Sequence, residues 1–239
     1  MKCETETYYP INLNLKGHRV LMCGASRLAL AEITRLVEFG AQIDVIAPNM
    51  VSELNDVALT YGNRINLMRR SFDDNDIANL KKGVYLLVFA FSTKEDENGR
   101  ILDAARQARV FAFAIDDTER SDYIVPSLIK RGHLKIAVST DSLSPPLERA
   151  LVERIEATFV NEIDKYTLFL NAMQERIQRL IKDANLSQPA IFRRVMRRLA
   201  ESEEIFAALQ RRNFEEANHL CEAIVFEIKS EFNEPAATV

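Results

Sequence analysis

Short apolar runs alternate with longer amphipathic or polar stretches between residues 19 and 139. The runs are rich in Val, Ile, Leu and Phe and do not alternate strictly with polar residues, which is the pattern of parallel strands covered on both faces. Six such runs occupy residues 20–23, 43–47, 65–68, 84–90, 111–115 and 135–139. They predict the strands of a parallel sheet.

The stretch between the first two runs has the pattern of a helix. Ile33, Leu36 and Val37 recur at helical spacing, and Gly40 follows them as a C-cap. The three segments together predict a βαβ unit, and residues 98–107 repeat the helical pattern before the run at 111. The fold class we predict is α/β, with a Rossmann-like doubly wound parallel sheet whose ligands bind beyond the carboxyl ends of the strands.

The pattern changes after Ser144, Pro145 and Pro146. Residues 147–232 have no strand pattern, and their apolar residues recur at helical spacing between many charges. Polar breaks at 183–189 and 211–213 divide this region into three or four helices, and we expect residues 234–239 to fray. We predict a Rossmann-like domain over residues 1–144 and an all-helical region over residues 145–239.

The composition is that of a globular protein, with 47 % hydrophobic and 28 % charged residues. The 31 Lys and Arg residues against 35 Asp and Glu residues give a net charge of -4, so there is no general basic field to attract nucleic acid or anionic membrane. The most basic segment, 193–198, has its arginines at i, i+4 spacing and is typical of a solvated helix face. We expect neither nucleic acid nor a membrane as a partner.

The three cysteines bear on compartment and on metal binding. Cys3, Cys23 and Cys221 are far apart and form no C-x-x-C pair, which argues against a disulfide framework and against a Cys-rich zinc site. We therefore predict no metal site. The first ten residues lack the apolar core of a signal peptide, and no stretch approaches 18 uncharged apolar residues. These features favour a soluble cytoplasmic protein.

The first candidate site is the turn between the first run and the first helix, which reads G-x-S-x-x-A from Gly24 to Ala29. In a dinucleotide-binding turn, the first glycine makes the bend, the second lets the backbone approach the pyrophosphate, and the last small residue packs helix on strand. Ser26 occupies the middle position. Its Cβ increases the approach distance, whereas its hydroxyl and the helix amino terminus can bind a phosphate. An unoccupied turn is the alternative.

The acidic ribose ligand expected about 20 residues further on is missing from the end of the second run. That end reads Ala47, Pro48 and Asn49, and Asp44 lies within the strand instead. Asn49 is either a ribose-binding residue or a turn residue after proline.

The second candidate is the pair Asp116 and Asp117, directly after the run at 111–115. A carboxylate at this edge of the sheet can act as a base or bind a metal, whereas Asp is also a common capping and turn residue. Because neighbouring side chains point in different directions, we expect one of the two to serve only the turn.

Two further clusters follow. Lys130, Arg131 and His133 are cationic or titratable residues just before the run at 135–139, and His133 is either a functional group or a turn residue. The loop from Ser139 to Pro146 is rich in hydroxyl groups and precedes a helix that begins near Pro146, as in sites that bind carboxylates or other anions.

In this order, the segments resemble the precorrin-2 dehydrogenase and sirohydrochlorin ferrochelatase family, the dehydrogenase and chelatase module of siroheme synthase. The resemblance covers about residues 8–155, and its most specific element is an aspartate ten residues before the proline of D-x-I-V-P. The matching segments are 9–13 (YPINL), 17–24 (GHRVLMCG), 38–41 (EFGA), 45–48 (VIAP), 116–117 (DD), 121–127 (SDYIVPS), 136–140 (IAVST) and 144–145 (SP).

The resemblance implies NAD-dependent dehydrogenation of precorrin-2 to sirohydrochlorin, followed by insertion of ferrous iron to give siroheme. It also implies a homodimer built through the helical region, and it makes Asp116 the catalytic base. The cofactor-binding residues that the resemblance implies are Gly24, Arg27, Leu28, Pro48, Asn49 and Ser92, and Ser26 joins them as the candidate from the turn motif. A tetrapyrrole with several carboxylates requires cationic and hydroxyl donors, for which the candidates are Lys130, Arg131, Ser139, Thr140 and Ser144.

The chain departs from the family pattern at three places. Ala25 and Ser26 replace glycine-rich residues of the turn, Asp141 and Ser142 replace a Gly-Gly pair after Thr140, and Phe113 replaces an asparagine. Each change removes flexibility or a polar donor, and Asp141 adds a negative charge where a polyanionic substrate would bind.

Three functional hypotheses follow. The leading one is an NAD-dependent precorrin-2 dehydrogenase with an added chelatase activity. The second is a chelatase-only enzyme or a non-catalytic tetrapyrrole-binding relative, and the third is a dinucleotide-sensing regulatory domain. The enzymatic interpretation expects Asp116 and Gly24 to face one shared cavity.

Overall fold

The computed structural model describes residues 8–94, 96–158, 163–183 and 189–233. Contacts divide the chain into two compact units. The first contains the described residues up to Val125 together with Thr140–Ser144, and the second contains Pro126–Ser139 and the described residues from Pro145 onward. The predicted domain boundary at residue 144 stays a prediction. Residues 126–139, which that boundary assigns to the first domain, group by their contacts with the helices of the second unit.

The first unit is built on a parallel sheet of five strands in the order β3-β2-β1-β4-β5. The strands are β1 (Arg19–Cys23), β2 (Gln42–Ile46), β3 (Ile65–Met68), β4 (Leu87–Ala90) and β5 (Phe111–Ala114). Four helices alternate with them: α1 (Arg27–Glu38), α2 (Glu53–Tyr61), α3 (Asp74–Lys81) and α4 (Glu97–Ala108). The strand order reverses between β1 and β4, where doubly wound sheets bind their ligands. The predicted fold class is confirmed.

Helices cover both faces of this sheet. Successive residues of a strand point to opposite faces, and in β1 Met22 packs in one apolar cluster with Ile33 of α1, whereas Leu21 packs in another with Ile101 of α4. All four side chains are fully buried. Burial of each such side chain stabilises the fold by about 1.5–3 kcal/mol, which explains why the runs read as continuous hydrophobic segments.

The sixth apolar run is not a strand of the sheet. It forms β7 (Leu134–Val138), which pairs antiparallel with β6 (Ser127–Arg131) in a separate hairpin of the second unit. Residues of β7 alternate between half-buried and exposed, as in a strand with one solvated face. The prediction of a sixth parallel strand was wrong. Exposed residues, Lys135 and Ala137, alternate with half-buried ones in β7, and this alternation was not recognised because Ala137 is itself apolar.

The rest of the second unit is helical in the residues that the structure describes. Its helices are α5 (Pro145–Thr158), α6 (Ile163–Asp183), α7 (Pro189–Ala200), α8 (Glu203–Gln210) and α9 (Phe214–Asn233). Ile191, Val195 and Leu199 follow one another at i, i+4 on α7 and are fully buried. None of the described helices is long and apolar enough to cross a membrane.

The described residues of this region contain five helices, where three or four were predicted. The predicted break at 211–213 is the turn between α8 and α9, and the one at 183–189 lies largely outside the described residues, as do residues 234–239. Within the described residues an unpredicted break precedes α8, where the hydroxyl of Ser202 accepts a hydrogen bond from the Ile205 amide at 3.2 Å. A serine N-cap can begin a helix without proline or glycine beside it.

Candidate functional site

Gly24 is held between the ends of two strands. Its amide donates to the Ile46 carbonyl at 2.9 Å, and the Phe91 amide donates to the Cys23 carbonyl at 2.7 Å. Gly24 has φ of 127°, and a Cβ built on it would lie 2.1 Å from the Phe91 carbonyl oxygen. Only glycine fits this bend, as the first position of a dinucleotide-binding turn requires.

A cavity of about 360 Å³ opens at this turn, within the range of small-molecule sites. It brings together five of the seven predicted cofactor-binding residues, namely Gly24, Ser26, Pro48, Asn49 and Ser92. Sequence reasoning did not single out Cys23, Ala25, Ser71, Phe72, Thr93, Lys94 or Glu97 as lining residues of this cavity. Burial raises the pKa of the Cys23 thiol well above its usual range, so this sulfur stays protonated.

Arg27 and Leu28 lie outside that lining. They occupy the first turn of α1, where Leu28 is 65 % exposed and Arg27 has its guanidinium 3.8 Å from the Glu53 carboxylate. Their cofactor contacts remain predictions. The prediction rested on the family resemblance, which matches positions along the chain and does not determine the direction of either side chain.

Ser26 is the N-cap of α1, and its hydroxyl oxygen accepts a hydrogen bond from the Ala29 amide at 3.3 Å. The hydroxyl hydrogen can still be donated, and the helix amino terminus favours an anion. Ala29 is fully buried, so helix and strand pack closely as the motif requires. The turn fits a dinucleotide pyrophosphate with a hydroxyl donor in place of the second glycine.

Ser92 follows β4 and belongs to a polar group at the edge of this cavity. Its hydroxyl donates to the Glu97 carboxylate in a short hydrogen bond, and the Lys94 ammonium lies 4.0 Å from the same carboxylate. The Lys94 ammonium also donates to the hydroxyl of Ser71. Ser92 and Lys94 are thus held by side chains of α4 and of the segment before α3.

Asp116 follows β5 and is exposed. Both of its carboxylate oxygens lie 3.0 Å from the amide nitrogen Nδ2 of Asn98, on α4. Asp116 lines a second cavity of about 600 Å³, together with Asn98, Arg100, Asp103 and Arg120 among others. A carboxylate in this position can accept a proton from a bound molecule.

Asp117 has the turn role expected for one member of the pair. Its carboxylate accepts a hydrogen bond from the Arg120 amide at 3.2 Å and lies 3.4 Å from the Arg120 guanidinium. Its carbonyl accepts the hydroxyl of Ser121 at 2.8 Å. The two neighbouring aspartates therefore differ in their partners: one closes the turn and the other meets α4.

Asp116 and Gly24 do not line the same cavity, so the expectation of one shared cavity was wrong. Both residues follow the carboxyl ends of parallel strands. The two cavities are connected by Ser92 and Asn98, which are hydrogen-bonded to each other. Ser92 lines the cavity at Gly24, Asn98 lines the cavity at Asp116, and the Asn98 oxygen Oδ1 accepts the Ser92 amide at 2.9 Å. Asn98 was missed because a polar residue in the first turn of a helix is usually expected to face solvent.

The predicted substrate-binding residues are divided between the two units. Thr140 and Ser144 belong to the first unit, where the Ser144 amide donates to the Thr140 hydroxyl at 3.0 Å. Lys130, Arg131 and Ser139 belong to the second. Lys130 is exposed, and the Arg131 guanidinium lies 3.2 Å from the Glu156 carboxylate on α5. Their roles in binding remain predictions.

His133 lies in the hairpin turn between β6 and β7 and is exposed. Among the described residues, no group of three or more His, Cys, Asp or Glu side chains is arranged to hold a metal ion.

Comparison with known proteins identifies proteins to which this chain is similar. Residues 11–127 match the family described as "Putative NAD(P)-binding". The chain is 30 % identical over 217 residues to Siroheme synthase 3 of Aeromonas hydrophila subsp. hydrophila, covering 91 % of this chain and 44 % of that protein. It is 33 % identical over 150 residues to Siroheme synthase of Neisseria meningitidis serogroup C, covering 63 % of this chain and 30 % of that protein.

The chain thus spans less than half the length of these curated relatives. Among solved structures, "SirC, precorrin-2 dehydrogenase" matches with a TM-score of 0.67 over 93 % of this chain and 100 % of that chain, at 18 % sequence identity. At this identity the likeness establishes the fold alone.

Proposed function

Because this chain belongs to the siroheme synthase family, we propose that it corresponds to the dehydrogenase and chelatase module of that family and oxidises precorrin-2 to sirohydrochlorin with NAD. The family resemblance seen in the sequence is confirmed. The observation that carries the proposal is the cavity at Gly24 and Ser26, built on a dinucleotide-binding turn in a chain related to siroheme synthases over 91 % of its length.

The cofactor residues we propose are Gly24, Ser26, Pro48, Asn49 and Ser92, which line the cavity, and Arg27 and Leu28, which follow them in the first turn of α1. NAD, when bound, supplies a hydride acceptor. Gly24 and Ser26 would hold its pyrophosphate at the amino terminus of α1. Asn49 at the end of β2 would bind a ribose hydroxyl through its neutral amide, in place of the usual carboxylate.

Asp116 is the proposed catalytic base. When a hydride leaves a ring carbon of precorrin-2 for NAD, a proton must also leave, and Asp116 would accept it and return it to solvent. The products are then sirohydrochlorin, NADH and one proton. Support comes from the position of Asp116 after β5 and from the Asn98 amide, which is directed at both of its carboxylate oxygens. Asp116 and Gly24 line separate cavities, so the proposal requires precorrin-2 to reach from one cavity to the other, and these two cavities are joined through the hydrogen bonds between Asn98 and Ser92.

Precorrin-2 carries several carboxylates, and their proposed partners are Lys130, Arg131, Ser139, Thr140 and Ser144. Cationic and hydroxyl donors bind carboxylates through charge-assisted hydrogen bonds. Asp141 lies beside Thr140 and opposes this charge, so we expect weaker binding than a glycine at that position would allow.

We further propose that the enzyme inserts ferrous iron into sirohydrochlorin, with Asp116 accepting the pyrrole protons that the metal displaces. Two buried free thiols, Cys23 and Cys221, support a reducing, cytoplasmic location. A homodimer through the helical unit is supported by two exposed aromatic side chains of α9, Phe214 and Phe226, which are 51 % and 75 % exposed. Light scattering on the purified chain tests the dimer.

The deciding experiment mixes the purified protein with precorrin-2 and NAD and follows sirohydrochlorin by its absorbance. Ferrous iron is then added to test for siroheme. Asp116→Asn is expected to lower the oxidation rate by about 10²-fold or more, whereas Asp117→Asn, which changes the turn aspartate, is expected to retain most of it. An unchanged rate in Asp116→Asn removes Asp116 from the mechanism.

Two cheaper titrations separate the alternatives. A tetrapyrrole carrier or a chelatase-only enzyme binds tetrapyrrole but not millimolar NAD. A dinucleotide-sensing domain binds NAD but not tetrapyrrole. The dehydrogenase requires both. The specific observation that favours a chelatase-only relative is Ser26, whose Cβ lies where a glycine would leave room for the pyrophosphate.

A further inference from the structure

Asn98 has an unusual position for an amide side chain. It is the second residue of α4, yet it is only 3 % exposed. Its oxygen Oδ1 accepts the Ser92 amide at 2.9 Å, and its nitrogen Nδ2 donates to the Ser92 carbonyl at 3.0 Å. The same nitrogen lies 3.0 Å from each carboxylate oxygen of Asp116.

These contacts use both hydrogens of the amide. One hydrogen of Nδ2 is directed to the Ser92 carbonyl, which leaves the other to be shared between the two Asp116 oxygens. The ring of contacts with Ser92 fixes the plane and the orientation of the Asn98 amide. An N–H donor in a fixed direction therefore faces the Asp116 carboxylate, and the group that fixes it is the backbone of a residue lining the nucleotide cavity.

We infer that Asn98 is a positioning residue, which orients the Asp116 carboxylate relative to the nucleotide cavity and keeps it able to accept a proton. The inference rests on the proposed function, in which Asp116 is the base. A donor held in a fixed direction limits the directions that the carboxylate can face.

The sharpest test is Asn98→Asp, which keeps the size and shape of the side chain. It replaces the Nδ2 donor with a carboxylate oxygen at hydrogen-bond distance from Asp116. Two carboxylates this close cannot both be ionised, so the pair retains a proton to higher pH. We expect the acid limb of the pH profile of precorrin-2 oxidation to move upward by about one unit or more.

Asn98→Ala provides the second variant, since it removes the donor without adding a charge. We expect kcat to fall about 10- to 100-fold because the base is misplaced, with a smaller change in the KM for precorrin-2. If Asn98→Asp does not fold, this division between kcat and KM decides the inference. An unchanged kcat in Asn98→Ala overturns it.

Asn66→Asp is the matched control. The Asn66 amide also donates to a carboxylate, that of Asp44, at 3.0 Å, and it lies on β3 away from both cavities. The same chemical change at Asn66 alters stability but is expected to leave the acid limb where it is in the wild type. A general effect of added negative charge would shift both variants equally, and that result would overturn the assignment to Asn98.

The wild type is measured first, so that the two proposals fail separately. If the wild type does not oxidise precorrin-2, the proposed function is wrong. If the wild type is active and folded Asn98→Asp has the same acid limb as the wild type, the catalytic base works without Asn98. The positioning role is then wrong. Near-ultraviolet circular dichroism establishes that each variant is folded.

Discussion

The guanidinium of Arg19 on β1 lies 2.5 Å from the carboxylate of Asp44 on β2, inside the parallel sheet. Asp44 is 4 % exposed and also accepts hydrogen bonds from the Tyr85 hydroxyl at 2.8 Å and the Asn66 amide at 3.0 Å. Asp44 is therefore a structural carboxylate, which explains why the second strand carries an aspartate that is not at its ligand-binding end.

Asp44 gives the fold a defined acid sensitivity. Burial acts to raise its pKa, but the hydrogen bonds from Arg19, Asn66 and Tyr85 outweigh burial and the net pKa is lowered. A lowered folded-state pKa adds stability above the unfolded value of about 3.9, and this stability is lost as pH falls through the folded-state pKa.

We expect Asp44→Asn to lower the free energy of unfolding by about 1.5–3 kcal/mol at neutral pH, the usual worth of a hydrogen bond to a charged group. The difference from the wild type is expected to shrink below about pH 4. Urea unfolding between pH 3 and 7 measures it, with the exposed Asp56→Asn as control. A difference of the same size at both ends of that range would contradict the assignment.

The bend at Gly24 leads to a second prediction. A Cβ at this position would lie 2.1 Å from the Phe91 carbonyl oxygen, which belongs to the backbone and cannot rotate away. We expect Gly24→Ala to destabilise the protein by about 3 kcal/mol or more, since strand β4 must shift. NAD binding is expected to be lost with the geometry of the turn.

Gly83→Ala is the control for Gly24→Ala. Gly83 also has a positive φ, of 68°, but a Cβ there meets nothing within 4 Å. Its substitution is expected to cost only the conformational strain of about 1–2 kcal/mol. Equal losses of stability in the two variants, measured by urea unfolding, would show that strain and not the Phe91 carbonyl sets the requirement for glycine.

The loop after Thr140 yields a third prediction. Asp141 and Ser142 have φ of 50° and 66°, the left-handed region in which glycine is favoured. Asp141 and Ser142 therefore adopt a backbone conformation that a Gly-Gly pair would adopt without strain. We expect Ser142→Gly to raise the free energy of unfolding by about 0.5–1 kcal/mol, since relief of strain exceeds the entropy of the added glycine.

Leu143→Gly is the neighbouring control. Leu143 is 88 % exposed and has no positive φ, so glycine there only increases the entropy of the unfolded chain and lowers stability. Thermal unfolding of both variants checks the pair. A loss of stability in Ser142→Gly would mean that its side chain contributes more than its backbone costs.

Sequence patterns predicted this fold where burial on both faces of the sheet produced a clear signal. Strand β1 and helix α1 lie where Val20 and Ile33 indicated, and Gly24 stands at the bend that its motif requires. The hairpin was missed because a short run such as 135–139 does not reveal which strand it pairs with. Pairing depends on contacts far apart in the chain, which single-sequence periodicity does not contain.

The site was predicted less completely for a similar reason. Position after a strand pointed to Asp116, because the carboxyl ends of parallel strands meet at one edge, whereas Ser92 was implied only by the family resemblance. Position after a strand gave no information on Asn98, whose importance comes from the direction of one amide group. It also did not predict that Asp116 and Gly24 line two separate cavities, because position after a strand does not determine which side chains enclose a cavity.

The hydroxyl of Ser26 leads to the last prediction, because it caps α1 at the position where a second glycine would approach the cofactor. Ser26→Ala removes the hydrogen bond to the Ala29 amide and is expected to cost about 1 kcal/mol of stability, whereas Ser26→Gly costs a few tenths. If the Cβ of Ser26 limits the approach of the pyrophosphate, Ser26→Gly binds NAD more tightly than the wild type, and Ser26→Ala does not. Calorimetric titration with NAD and urea unfolding of the same three proteins separate the two effects. Weaker NAD binding in both variants would instead assign the hydroxyl itself as a phosphate donor, and the chain would then have replaced the glycine by a functional equivalent.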